Sequence, residues 1–399
     1  MEEGSKLRIL FVHGADIRVG GGAEKIIYYY MKMLPHEGFE PYLLMTNLLD
    51  EKRFPDSLID ELGDRVIRVK AYRPRGVAAR LTRIPYVGDA FDYALLHYYA
   101  FRHRSEILEA MRPYQFDVIY FAAFSMSFYF LRDGGAVWIG SELSRDFPKP
   151  WGVIGLLQYL ALRRDLARFD FIHRLSNRIM GETYAGVRTF LVPSGIRSDL
   201  FHPDFEEHSD DRAVKFYFAA RLVPCKGLRV LLDAWRIALE RGLSNAELHV
   251  IGAGPDSALL GEKLPGVVYH GHLPESNLAG MVRRMDFLVH PTSCDTFSLT
   301  VAEALASGCH AIVSDYLRGA WDEEEKRGFL EYAPRDPAIL ARRIVDAARS
   351  IDRYRDPTLK RKQYEYMRDK YDWNHVIPRL ADEIRKAVEG RVSGTVPRA

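Results

Sequence analysis

Short apolar segments alternate with longer helix-periodic ones along almost the whole of this chain, and that alternation confines it to one fold class. In the first half the candidate strands are 8–12, 40–46, 65–69, 117–121, 136–140, 171–175 and 188–192, with helical patterns at 23–34, 91–111, 153–167 and 178–185. In the second half the candidate strands are 215–219, 247–251, 267–270, 287–290 and 310–314. Leu228, Leu231, Leu232, Trp235 and Leu239 recur between them at helical spacing, as do Ile339, Ile344, Val345 and Ala348 further on. Strands that are apolar on both faces need cover on both faces, so the pattern reads as α/β with parallel sheets. A chain of 399 residues is too long for one ordinary core and indicates two or three domains. The polar stretch 202–212, with Pro203 and five acidic residues, is the linker candidate. Two doubly wound domains would place a ligand at the carboxyl ends of strands, in a cleft between them.

Charge and cysteine content narrow the function classes. Lys plus Arg number 56 against 54 Asp plus Glu, and a net charge of +2 argues against a nucleic-acid binder held by bulk charge. The three cysteines, Cys225, Cys294 and Cys309, show no metal-ligand spacing and are expected to be reduced, with no disulfide framework. The first residues lack the basic and long apolar segments of a signal peptide, and the longest nearly apolar run, 151–162, is too short to cross a bilayer. A cytoplasmic protein is expected. The small, polar end of the chain, 391–399, reads as a frayed tail.

The stretch 294–308, Cys-Asp-Thr-Phe-Ser-Leu-Thr-Val-Ala-Glu-Ala-Leu-Ala-Ser-Gly, carries the most chemistry. Asp295 and Glu303 are separated by seven residues, and a helix beginning near Ser298 would put its first free N–H groups between the two carboxylates. Such N–H groups, with the helix dipole behind them, bind anions. The carboxylates can accept only from donors such as sugar hydroxyls. A ligand with hydroxyls, phosphate and hydroxyls in line matches that layout, and a nucleotide sugar has it. Upstream, Arg221 ends a strand and Lys226 precedes Gly227 at the start of a helix, two cations able to neutralise a diphosphate. Strand-then-glycine turns follow at Gly252-Ala-Gly-Pro255 and Gly271-His-Leu-Pro274.

In this order and spacing, Arg221…Lys226-Gly227, the two turns and Asp295…Glu303 resemble the donor-binding domain of family 4 retaining glycosyltransferases. The resemblance extends to Pro193-Ser-Gly-Ile…Phe201-His-Pro203, similar to that family's interdomain hinge, and to Gly20-Gly-Gly-Ala-Glu24, similar to its glycine-rich loop after the first strand. Tyr371-Asp-Trp373 resembles the segment that crosses back to the first domain. The resemblance implies a GT-B fold of two facing Rossmann-like domains, here 1–195 and 196–372, followed by a crossing helix 373–390. It implies transfer of a sugar from a GDP- or UDP-linked donor to a hydroxyl acceptor, with a lipid-linked or polysaccharide glycan favoured, without metal or cofactor. Carried over by position, Arg221 and Lys226 would contact the diphosphate, and backbone N–H groups of Phe297, Ser298 and Leu299 the phosphate nearer the sugar. Glu303 would take the ribose hydroxyls, Asp295 the transferred sugar, and Gly21 and Gly22 would let the backbone approach the ligand.

Several positions depart from the family pattern. Asp295 stands where glutamate is usual, which sets its carboxylate back by roughly 1.5 Å, one carbon–carbon bond. Ser298 replaces a glycine and could cap the helix or add a donor to the phosphate. The strand at 117–124 lacks the histidine many members carry there. His13 and His290 are read as packed at strand ends. The segment 314–319 differs from the usual glycine-rich turn. Between Arg73 and Arg104, arginines interleaved with tyrosines and phenylalanines read either as a solvated helix face or as a surface for the inner membrane or a phosphorylated acceptor. A second reading is a binding or regulatory protein that keeps the donor site with little turnover. A dinucleotide-dependent oxidoreductase is disfavoured, because Gly14 and Gly20 to Gly22 do not have the dinucleotide spacing.

Overall fold

A computed structural model of the chain describes residues 6–13, 22–47, 62–71, 98, 100–122, 126–131, 135–141, 156, 160, 163–178, 181–184, 186–204 and 213–392. The chain forms two compact units, Met1–Leu175 with Met180–Val192 and Ile377–Ala399, and Ser176–Ile179 with Pro193–Val376. The division at 192/193 lies upstream of the 202–212 linker candidate, of which 205–212 fall outside the described residues.

The first unit is built on a sheet of β1 (Leu7–His13), β2 (Phe39–Asn47), β3 (Val66–Ala71), β4 (Val118–Ala122), β5 (Val137–Ser141), β6 (Phe171–Arg174), β7 (Thr183–Tyr184) and β8 (Val187–Leu191). Their order is β3-β2-β1-β4-β5-β6-β8-β7, and every pair is parallel except β7 with β8. All five residues of β4 and of β5 are buried, which is why these strands read as continuous apolar runs rather than alternating ones. The helical pattern expected at 178–185 is not formed by the described residues of that stretch. Thr183 and Tyr184 instead pair antiparallel with Arg188 and Val187 across Gly186, whose φ of +83° makes the tight turn.

The second unit's sheet comprises β9 (Val214–Ala219), β10 (Ala246–Ile251), β11 (Val267–Gly271), β12 (Phe287–His290), β13 (His310–Ser314) and β14 (Leu330–Ala333). Its order is β11-β10-β9-β12-β13-β14, with all pairs parallel. Helix α1 (Leu228–Glu240) follows β9, α2 (Glu275–Val282) follows β11 and α3 (Leu299–Ala306) follows β12. Leu228, Leu231, Leu232 and Trp235 of α1 are buried, as their spacing requires, against Phe216 and Phe287. Burying each such side chain contributes roughly 1.5–3 kcal/mol, and Phe216 and Phe287 also stack with centroids 4.9 Å apart. Both sheets have the doubly wound order in which the direction of winding reverses beside the first strand, and ligands bind at the carboxyl ends there. In the second unit that point lies between β9 and β12, the strands that lead to Arg221 and Asp295.

The last helix, α4 (Trp373–Val392), outruns the expected 373–390 and takes in residues assigned to the tail. Residues up to Val376 belong to the second unit and those from Ile377 to the first. At its start, Asp372 bridges to Ile196 and accepts from the Ser198 hydroxyl. At its end Arg391 donates to Asp170 at 2.9 Å.

Candidate functional site

Two loops at the carboxyl ends of β9 and β12 are packed backbone to backbone. After β9, Pro224–Lys226 makes a single 3-10 turn, and Gly227 (φ +86°) hands the chain to α1. After β12, residues 291–298 run to α3, and Ser293 N–H donates to the Cys225 carbonyl at 2.8 Å. The Gly252 turn supports the first loop from beneath. Leu222 N–H donates to the Ala253 carbonyl at 2.9 Å, and a Cβ on Gly252 would lie 1.8 Å from the Ala220 oxygen. That turn is therefore a packing requirement of the Arg221 loop.

The cysteine expectation is corrected here. Cys225 and Cys294 are joined by a disulfide with Cα atoms 5.7 Å apart, while Cys309 is free and buried. Their separation of 69 residues has no spacing signature, and only the pairing of β9 with β12 brings them together.

Between the loops lies a compact polar cluster. Lys226 Nζ pairs with Asp295 Oδ1, and His290 Nε2 lies 2.8 Å from Asp295 Oδ2. Ser298 Oγ lies 3.1 Å from the same His290 nitrogen. Burial on its own would raise the Asp295 pKa, but the His290 hydrogen bond and the Lys226 charge outweigh it and hold the carboxyl well below the usual range. Asp295 is therefore a carboxylate at neutral pH, able to accept and unable to donate.

The N-terminus of α3 opens beside this cluster. The Ser298 carbonyl accepts from Val301 and Ala302, so the N–H groups of Ser298, Leu299 and Thr300 precede the first intrahelical bond. Ser298 does not cap the helix, contrary to one of the expectations for it; its φ is +68° and its hydroxyl faces His290. The Phe297 carbonyl accepts from Trp321 Nε1 at 2.7 Å, and the two rings pack with centroids 4.7 Å apart, fixing the turn that leads into α3. Glu303 is buried on α3, one turn in from its start. Arg221 is exposed at the end of the β9 strand and has no side-chain partner among the described residues.

Lys226 and Asp295 thus meet across the two loops, Phe297, Ser298 and Leu299 lead into α3 with Glu303 one turn on, and Arg221 lies on the loop that carries Lys226. In the first unit Gly22 opens a helix, Gly22–Met33, whereas Gly21 lies outside the described residues. His13 is buried at the end of β1, as expected, with Nε2 3.2 Å from Glu24 Oε1. Most of the 73–104 stretch lies outside the described residues. Sequence reasoning missed what His290 touches. It also missed Trp321 and the cysteine pair, which carry no local pattern.

Residues 213–350 match the family described as Glycosyl transferases group 1. This stretch is similar to a group 1 glycosyltransferase domain. A GDP-mannose-dependent alpha-mannosyltransferase of Mycolicibacterium smegmatis is 36% identical over 98 residues, 25% of this chain and 24% of that protein. One of the same description from Corynebacterium glutamicum is 30% identical over 125 residues, 30% of this chain and 29% of that protein. The matched stretches therefore span under a third of these relatives. Among solved structures, sucrose-phosphate synthase of Thermosynechococcus elongatus superposes with a TM-score of 0.71 at 16% identity, over 96% of this chain and 100% of that one. Anabaena HepE in complex with UDP-glucose gives 0.63 at 15% identity, over 96% of this chain and 100% of that one. With its two doubly wound sheets, the chain has a GT-B fold.

Proposed function

We propose that this chain is a retaining glycosyltransferase that moves a sugar from a nucleoside-diphosphate sugar to a hydroxyl acceptor. The observation that carries this reading is the meeting of Lys226, Asp295 and the start of α3 at the switch point of the group 1 domain's sheet. Lys226 and Arg221 take the diphosphate, the N–H groups of Phe297, Ser298 and Leu299 take the phosphate nearer the sugar, and Glu303 takes the ribose. Asp295 accepts from hydroxyls of the transferred sugar. The anomeric C–O bond to phosphate breaks as the acceptor oxygen bonds to the same carbon from the same face. The acceptor proton passes to a leaving-phosphate oxygen, so the enzyme supplies no nucleophile. The charge that develops on the diphosphate is met by Lys226, Arg221 and the helix terminus, and the reaction is read as metal-independent on that basis. Relatives described as GDP-mannose-dependent make a GDP-linked donor the first choice, ahead of UDP. A lipid-linked or polysaccharide acceptor at the inner membrane surface suits the basic, aromatic stretch 73–104. A cytoplasmic location belongs to the same reading.

A second reading, a donor-binding protein with little turnover, is favoured by one observation: both oxygens of Asp295 already have protein partners. Thermal shift with GDP, UDP, GDP-mannose and UDP-glucose tests the donor site, since a ligand bound only by the folded state raises Tm. At least one should raise it, and Lys226→Ala should weaken that ligand by about tenfold or more. Release of nucleoside diphosphate with an acceptor panel separates the two readings. Failure of all four ligands to shift the wild type, or full turnover by Lys226→Ala, overturns the first.

A further inference from the structure

We propose that His290 is a positioning residue for Asp295, and that it governs recognition of the transferred sugar without affecting recognition of the nucleotide. The inference rests on the donor-site reading above and assigns a new residue within it. His290 ends β12, is 1% exposed, and directs Nε2 at Asp295 Oδ2 from 2.8 Å. Its other nitrogen, Nδ1, is buried with no hydrogen-bond partner among the described residues. Burying an unpaired ring nitrogen is unfavourable. A leucine or phenylalanine would fill similar space without that cost, so packing alone does not call for an imidazole here. What the imidazole adds is the Nε2 donor.

A second, independent feature converges on the same nitrogen. Ser298 and Asn245 are the two non-glycine residues with positive φ among those described. At φ +68° a serine is conformationally unfavourable where glycine is at ease, and its hydroxyl gives no capping bond in return. That hydroxyl lies 3.1 Å from His290 Nε2. Two locally unfavourable arrangements therefore meet at one atom, and that atom holds Asp295.

The geometry has a consequence for the sugar. A carboxylate oxygen has two acceptor directions. His290 occupies one on Oδ2 and Lys226 one on Oδ1, which leaves one on each oxygen for the ligand. Held at both oxygens, the short Asp295 side chain presents a fixed pair of acceptors suited to two neighbouring sugar hydroxyls. Without His290 the carboxylate pivots on Lys226 alone and that pair is lost. In the donor-site reading His290 touches neither the diphosphate nor the ribose directly and meets that part of the site only through the Asp295 and Ser298 side chains.

Isothermal titration with GDP and GDP-mannose, and with UDP and UDP-glucose, measures the difference the sugar makes. His290→Leu and His290→Asn are expected to bind the nucleoside diphosphate within about twofold of wild type and to lose about tenfold in nucleotide-sugar affinity. His290→Gln, whose amide reaches the Nε2 position, is expected to recover most of that loss, whereas asparagine reaches only the Nδ1 position. The contrast between Gln and Asn stands even if the leucine variant misfolds. Equal nucleotide-sugar affinity in the Gln and Asn variants overturns the inference, as does a parallel loss of nucleoside-diphosphate affinity. If wild type binds none of the four ligands, the donor-site reading fails, and the inference with it.

Discussion

Gly227 shows how closely the two site loops are fitted together. Its φ of +86° is a conformation that L side chains rarely adopt, and a Cβ there would lie 2.2 Å from the Pro291 carbonyl oxygen. The obstacle is backbone on the neighbouring loop and cannot rotate away. Gly227→Ala is therefore expected to destabilise the protein by about 3 kcal/mol, combining backbone strain with displacement of the 291–295 loop. Gly280 is the contrast, since it is exposed within α2 and a Cβ there meets nothing within 4 Å. Gly280→Ala is expected to be stabilising by about 0.5–1 kcal/mol. Urea unfolding of the two variants checks both, and equal effects would refute the packing argument. Residue types told the sequence reader that Lys226 and Asp295 are charged and near a helix start. They could not tell that the two pair with each other, because that depends on a sheet pairing 69 residues apart.

At the scale of elements, legibility followed the strength of local punctuation. β12 and β13 have the expected limits, 287–290 and 310–314, because a run of buried residues is bracketed by turn chemistry on each side. β14 was missed because Glu331 interrupts the apolar run of Leu-Glu-Tyr-Ala, which takes its identity from pairing with β13. The 178–185 stretch misled because a few apolar residues at helical spacing cannot show that Gly186 turns the chain into a hairpin. The Cys225–Cys294 link belongs to the same class of long-range facts, and it has an element-scale consequence. It closes the segment that holds α1, β10, β11, α2 and β12. Closing a loop of that length restricts the unfolded chain by up to about 4 kcal/mol. The paired variant Cys225→Ser/Cys294→Ser is expected to melt lower than the oxidised wild type and to be insensitive to a dithiol reductant. Identical melting of the oxidised wild type and the double variant would show that the loop pairing, chiefly Ser293 to Cys225, holds the site unaided.

Across the whole molecule, each unit buries a histidine that must stay neutral. In the first unit His173 lies between the Tyr120 hydroxyl and the Val192 carbonyl, and burial lowers its pKa from 6.5 to about 4. In the second, His310 packs against Phe287 and Tyr354, and burial, helped by the Arg353 charge, lowers its pKa from 6.5 to about 3. For both, the unfolded chain takes up a proton more readily than the folded one. Their stabilising effect is complete above the unfolded value of 6.5 and is lost as pH falls from there towards the folded values. Each contributes a loss on the order of 3 kcal/mol by about pH 4. Asp295 does not add to this window, because its depressed pKa keeps it ionised there and its contribution fades only below the ordinary carboxyl value of 3.8. Glu331 works in the opposite sense, since burial raises its pKa and the folded state then holds its proton more tightly as pH falls. The histidines outweigh it because their shifts are large and there are two of them. Calorimetric Tm is therefore expected to be level from pH 8 to about 6.5 and to fall steadily from there to pH 4.5. His310→Phe, which keeps an aromatic ring beside Phe287 and Tyr354 and removes the titration, is expected to make that fall shallower. A Tm unchanged down to pH 5 in the wild type would mean that neither histidine is held neutral by the fold.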